Sequence, residues 1–169
     1  MSILTQSKII EAIEKGEIGI DPFEPENVGP GSIDLRLGDR FRVFDGENGV
    51  FDVDEEADHK KISSAYQRNT LVVQPQETVL GITKERITLP PYLCGWLEGR
   101  SRFARLGLMV HISASFMQPG ISNHQVLEIS NMGHLPMRLH ANIRICQFVF
   151  QETRGEAEYT GSFQDQGTP

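Results

Sequence analysis

A mainly β architecture follows from two features of this chain: many short segments of alternating apolar and polar residues, and Gly- and Pro-containing punctuation between them. Ser32–Leu37 sets Ile33, Leu35 and Leu37 against polar partners, and Arg40–Phe44 continues with Phe41 and Val43. Thr70–Val73, Thr78–Thr83 and Leu93–Leu97 come next, separated by Gln74-Pro75-Gln76 and Leu89-Pro90-Pro91. His111–Ala114, Gln125–Asn131, Met137–His140 and Ile145–Gln151 complete the series. So many short strands indicate a β-sandwich or barrel. One short helix precedes them: Ile9, Ile10 and Ile13 share a face of Thr5–Lys15, and Gly16 stops it.

The remaining segments connect these elements. Asp45–Gly49 reads as a turn, and the acidic stretch Asp52–Lys61 as a solvated loop rather than a metal site. No repeat period interrupts the pattern, so residues 1–169 are expected to form one domain. Its tail, 154–169, is polar and Gly-containing, hence mobile until a ligand or partner orders it.

Composition narrows the function classes. With 38% hydrophobic and 23% charged residues, the chain is neither a disordered nor a membrane type. Its longest apolar runs fall far short of a membrane span, and Met1–Ile10 lacks the basic start and apolar stretch of a secretory signal. A cytoplasmic location is therefore expected. Cys94 and Cys146 stand apart in apolar contexts and read as buried free thiols. A net charge of −7 argues against nucleic acid as the main ligand, since phosphate contacts need a basic face. A small anion is still allowed where basic residues gather, as Arg100, Arg102 and Arg105 do.

Two segments carry candidate chemistry. In Gly99–Leu108 a strand runs into Gly99, and Ser101 is placed to cap a short helix through Ala104–Leu106. Such a terminus with neighbouring arginines suits phosphate oxygens, although the same arginines also read as surface charges flanking a helical turn. In Val126–Asn131, alternation puts Leu127 and Ile129 on one face and Val126, Glu128 and Ser130 on the other. A carboxylate beside Val126 would be partly desolvated, which raises its pKa and suits proton transfer. The alternative is a glutamate on a solvated sheet face. His111, in the apolar run Leu108–Ile112, reads as a hydrogen-bonded core residue rather than a ligand. Pro91-Tyr92-Leu93-Cys94 offers one cysteine with Cys146 distant, so the Pro-Cys-x-x-Cys pair of the zinc deaminases is missing and zinc chemistry is not expected.

Together these segments resemble the dCTP deaminase branch of the dUTPase-like superfamily. The likeness begins at Gly31-Ser32-Ile33-Asp34-Leu35-Arg36-Leu37-Gly38 and is most specific in Gly99-Arg100-Ser101 and Ala104-Arg105-Leu106-Gly107-Leu108. His111, Ala114, Pro119-Gly120, Val126-Leu127-Glu128, Asn131 and the tail Tyr159–Gln166 continue it. The resemblance implies a distorted β jelly-roll, a homotrimer with active sites shared between subunits, and zinc-free hydrolytic deamination of cytosine with magnesium on the triphosphate. Under it Glu128 moves the protons, Ser101 and the Ala114 carbonyl position the water, and Arg105 stabilises the reacting centre. Arg100, with Arg102 beside it, would hold phosphate; Gln118 would face the sugar; the backbone at Val126 and Leu127 would read the base; Tyr159 and Gln166 would close the site.

The chain also departs from that pattern. Arg102 stands where the family has a second serine, and Gln118 where it has the aspartate that recognises the sugar hydroxyl. Ile121-Ser122-Asn123 replaces aromatic-x-glycine, His124 follows it, and Ser162 replaces a phosphate-holding lysine. One account is that Arg102 makes up the charge lost at Ser162; another is that the pocket prefers a modified or differently phosphorylated cytosine nucleotide. The rival readings are a dUTP pyrophosphatase, alone or combined with deamination, and a non-catalytic nucleotide-binding regulator on the same scaffold.

Overall fold

The computed structural model describes residues 2–46, 49–111, 113–161, 164 and 166–169. Ser162 therefore lies outside the described residues, as do Phe163 and Asp165 of the tail, Ile112 of the expected strand His111–Ala114, and Glu47 and Asn48 of the expected turn.

Helix α1 (Gln6–Glu14) turns its apolar stripe inward: Ile9 is fully buried, and Ile10 and Ile13 pack against the same core. Gly16 follows at φ +74°, a left-handed conformation that residues with a side chain rarely adopt, and the helix stops there. Twelve strands succeed it: β1 (Gly19–Asp21), β2 (Ile33–Arg36), β3 (Arg40–Phe44), β4 (Ser63–Gln67), β5 (Thr70–Val73), β6 (Thr78–Thr88), β7 (Leu93–Gly99), β8 (Leu108–Val110), β9 (Phe116–Met117), β10 (Ser122–Asn131), β11 (Met137–His140) and β12 (Arg144–Glu152). A single helical turn, α2 (Ser101–Ala104), sits between β7 and β8.

The strands form two main antiparallel sheets. One runs β4-β3-β6-β10-β8 with β1 added on β6; the other runs β2-β12-β7-β9; β5 and β11 pair separately. Phe41, Val79, Leu127 and Ile129 from the first sheet share one core with Ile33, Leu35, Leu97, Phe148 and Phe150 from the second. Burial of each such side chain contributes about 1.5–3 kcal/mol. The expected jelly-roll character is present, but the sheets stay open rather than closing into a barrel. Among the described residues their only ladder contact is the single bridge Leu37–Thr83.

Several boundaries differ from the sequence reading, each for a local reason. β6 continues past Thr83 through Lys84-Glu85-Arg86, where charges hide the apolar pattern. Glu85 is almost wholly buried there because Arg36 meets it: Arg36 Nε lies 2.6 Å from Glu85 Oε1, and the Arg36 backbone N–H donates to Oε2 at 2.7 Å. Glu24 engages the same guanidinium. Breaking such a buried pair by removing one partner costs about 3–5 kcal/mol. β4 has too polar a sequence to announce a strand, and its pairing with β3 along Arg40–Phe44 imposes the extended backbone. The expected strand His111–Ala114 is displaced: its place in the sheet is taken by β8, and at His111 the chain turns away with φ +56°. The acidic run from Asp52 is an exposed loop, as expected, and ends in a 3-10 turn over His59–Ile62. Cys94 and Cys146 are free and buried, and burial pushes the Cys146 thiol far above its ordinary range.

Cross-strand packing within the second sheet is tight where Phe148 lies on Gly95. A β-carbon at Gly95 would overlap the Phe148 ring and sit 2.8 Å from the Val149 carbonyl oxygen. Gly95→Ala is expected to lower the unfolding free energy by about 2–3 kcal/mol, read as a depressed urea midpoint at unchanged m. An unchanged midpoint would show that the β7–β12 contact is looser than described.

Candidate active site

β10 divides the molecule: Leu127 and Ile129 point into the core, while Val126, Glu128 and Ser130 face the other way, half-buried. That is the alternation read from the sequence. A bulge between His124 and Val126 interrupts the pairing with β6, and through it Gln125 and Val126, adjacent in sequence, both line one cavity. The cavity has a volume of about 820 Å³. Its walls are β10, the segment from Ala114 to Ile121, the 3-10 turn at His59 and Lys60, and the described tail residues from Tyr159 to Pro169. This is the size of a small-molecule site.

Glu128 is the one carboxylate on that wall among the described residues. His111, buried at the end of β8, places Nδ1 3.0 Å from Glu128 Oε2 and has Nε2 2.8 Å from the Ala114 carbonyl oxygen. Its backbone N–H also donates to the Glu128 carbonyl at 2.8 Å, extending the β8–β10 pairing. Thus one imidazole links the carboxylate to Ala114. Both atoms are buried, and neither has a further hydrogen-bond partner among the described residues.

The electrostatic outcome corrects the sequence expectation. Burial is the largest single influence on Glu128 and pushes its carboxyl up, as anticipated. The His111 imidazole, by contact and by charge, together with a main-chain donor, outweighs it, and the carboxyl sits below the ordinary glutamate value. Near neutral pH Glu128 is ionised, a base rather than an acid.

The tail closes one side. Tyr159 N–H donates to the Pro119 carbonyl at 3.0 Å, Asn123 Nδ2 to the Gln164 carbonyl at 3.3 Å, and His124 N–H to the Gln166 carbonyl at 3.2 Å. Gln166 Nε2 returns a bond to the His124 carbonyl at 3.2 Å.

The arginine segment lies elsewhere. Arg100, not Ser101, occupies the N-cap of α2, and no side chain caps it; Ser101 is the first helical residue. A single turn offers little macrodipole, so the arginine side chains are its cationic feature. Arg100 is held by Asp34, at 3.1 Å, and donates to the Arg144 carbonyl at 2.9 Å. Ser101, Arg102 and Arg105 are exposed, and none lines the Glu128 cavity of its own chain. Gly107, at φ +87° and packed on Gly133, turns the chain from α2 into β8.

Comparison with known proteins adds to this geometry. A family model described as dCTP deaminase-like matches residues 3–153. The chain belongs to that family. It is 41% identical over 166 residues to a dCTP deaminase of a Marinomonas species, covering 92% of this chain and 86% of that one. It is 36% identical over 163 residues to a dCTP deaminase, dUMP-forming, of Methanobrevibacter smithii, covering 94% and 84% respectively. Among solved structures, the 2′-deoxycytidine 5′-triphosphate deaminase of Agrobacterium tumefaciens superposes with a TM-score of 0.70 at 18% identity over 89% of this chain. That likeness speaks for the fold, and the chain spans about half the length of that protein, 48%.

Of the site residues expected from the family resemblance, the chain brings Glu128, Ala114, Gln118, Val126, Tyr159 and Gln166 to one cavity. It leaves Arg100, Ser101, Arg102 and Arg105 outside it, and Leu127 sends its side chain into the core, leaving only its main chain for recognition. Sequence reasoning placed His111 as a hydrogen-bonded core residue but missed its partner, which only the β8–β10 pairing supplies. It also missed His59, Lys60 and Gln125 on the cavity wall.

His111→Phe removes the imidazole while burial remains, so the Glu128 carboxyl is expected to rise above its present position, followed by carbon-detected NMR titration. The depressed pKa also adds stability that is complete above the ordinary glutamate value and is lost as pH falls through the depressed value. This acid-side dependence should shrink in the variant; an unmoved titration would exclude the His111–Glu128 coupling.

Proposed function

We propose that this protein hydrolytically deaminates the cytosine base of a deoxycytidine nucleotide, dCTP in the first instance, releasing ammonia and the uracil nucleotide. The observation that supports it is an ionised, half-buried Glu128 on the wall of a nucleotide-sized cavity, flanked by His111 and the Ala114 carbonyl. Glu128 takes a proton from water as the oxygen bonds to C4, and the C4–N3 π electrons move to N3, which accepts that proton from the carboxyl. A second transfer, from the new hydroxyl through Glu128 to the amino nitrogen, lets the C4–N4 bond break, and ammonia leaves with its electron pair. The carboxylate is regenerated. Ala114 and Ser101 hold the water, and Arg105 stabilises the charge that develops on the ring. Magnesium, when bound, would be held by the oxygens of the triphosphate and would neutralise part of its charge.

Because Ser101 and Arg105 are exposed and do not line the cavity of their own chain, they serve a neighbouring copy in a homotrimer with shared sites, where Arg100 and Arg102 meet its phosphates. A second reading, deamination followed by diphosphate release, is favoured by the relatives named dUMP-forming. Gln118 and Ile121 disfavour it, because they stand where that chemistry wants an aspartate and an aromatic.

Glu128→Gln should reduce ammonia release from dCTP by about 10²–10⁴ while nucleotide binding persists. In the wild-type protein ammonia should appear without diphosphate; undiminished turnover in the variant excludes the mechanism, and equimolar diphosphate establishes the second reading. Refolding Glu128→Gln together with Arg105→Ala should restore activity that neither variant has alone, because mixed assemblies contain sites with both residues intact. Failure to recover activity in mixed oligomers would place Arg105 in its own chain's site or outside catalysis.

A further inference from the structure

The cavity carries a polar feature that the deamination chemistry does not use. Gln125 is only 3% exposed yet lines the cavity wall. Its amide orientation follows from a chain of donors and acceptors. The Gln164 carbonyl takes a bond from Asn123 Nδ2, so Asn123 Oδ1 faces Gln125. Gln125 Nε2 then donates to that oxygen at 2.6 Å, with the Asn123 carbonyl at 3.5 Å. Gln125 Oε1 is left over, and it accepts no hydrogen bond from any described residue. That oxygen keeps its acceptor capacity on the cavity wall, where a donor of the ligand can take it.

Resting on the reading of Glu128 as the base at C4, the position of Gln125 identifies which part of the ligand it meets. Gln125 stands before Glu128 on β10 with Val126 between them on the cavity wall, so it meets a part of the nucleotide away from C4. Gln118 and Ile121 lie on the cavity wall with it. We propose that Gln125, oriented by Asn123, is the sugar-reading residue of this protein, with Oε1 accepting a hydrogen bond from a hydroxyl of the nucleotide's sugar. Asn123 is a positioning residue in this arrangement, and through Gln164 it ties sugar recognition to the packing of the tail.

The test is kcat/KM for ammonia release with CTP, dCTP and 2′,3′-dideoxy-CTP, together with calorimetric binding of the same three nucleotides. Wild-type protein should lose at least about tenfold when the contacted hydroxyl is removed, because a site built around a hydroxyl rejects the analogue that lacks it. A loss from CTP to dCTP assigns the 2′-hydroxyl; a loss from dCTP to the dideoxy compound assigns the 3′-hydroxyl. In Gln125→Met, of nearly the same shape but without the acceptor, the three values should converge to within about twofold; Gln125→Leu serves if Met does not fold. Equal ratios in wild type and variant, or no hydroxyl preference in wild type, overturn the proposal. Ammonia release with unchanged ratios leaves the deaminase reading standing and removes this one. Binding ratios that follow the prediction without any ammonia do the reverse.

Discussion

The pairing of β10 between β6 and β8 is the constraint on which the site depends. It is held on both edges, with Glu128 opposite Leu80 on one side and Ile129 opposite Val110 on the other. A slip of one residue would exchange the two faces, sending Glu128 into the core and Leu127 into the cavity. Leu127 and Ile129, both fully buried, make that slip costly, so the hydrophobic effect acting on the inner face fixes the Glu128 carboxylate on the outer one. The same β8 pairing delivers His111 beside Glu128, and the positive φ at His111 turns the chain out of the sheet at that point.

The electrostatics of the site express a contest rather than one effect. Half-burial alone would push the Glu128 carboxyl above its ordinary value. The His111 imidazole reverses the sign and keeps the carboxylate charged while leaving it partly desolvated. A partly desolvated base meets the developing charge of the reaction with little water to reorganise, so the arrangement favours proton transfer without requiring a raised pKa. The position of the Glu128 carboxyl is therefore set by its neighbour as well as by burial.

Much of this was legible in the sequence, and the illegible parts share a cause. The inward stripe of α1, the alternation of β10 and the core residues of β2, β3 and β12 all follow from local periodicity. β4 and the second half of β6 do not: β4 takes its extended form from β3, and Lys84-Glu85-Arg86 is admitted to a strand because Arg36, distant in sequence, neutralises Glu85. The site divides likewise. Glu128 was visible from strand alternation, and the family motif named Ser101, Arg105 and Ala114. Nothing local, however, couples His111 to Glu128 or turns Gln125 toward the ligand. Both require knowing which strands pair and where β10 bulges.

That bulge accounts for the last feature of the site. In an unbroken strand Gln125 would share the core face with Leu127, and a buried amide there would need every hydrogen bond satisfied by protein. The irregularity between His124 and Val126 lets it turn to the cavity instead, with its backbone N–H taken by Thr83 Oγ1 at 2.9 Å. Thr83 is itself pinned, donating to the Glu85 carbonyl at 2.8 Å, and Glu85 holds Arg36. The Gln125 end of the cavity is thus anchored through two hydrogen bonds to Glu85, which pairs with the buried Arg36. A side chain so supported keeps its acceptor in one place before any ligand arrives, and a fixed acceptor is what discrimination between sugar hydroxyls requires.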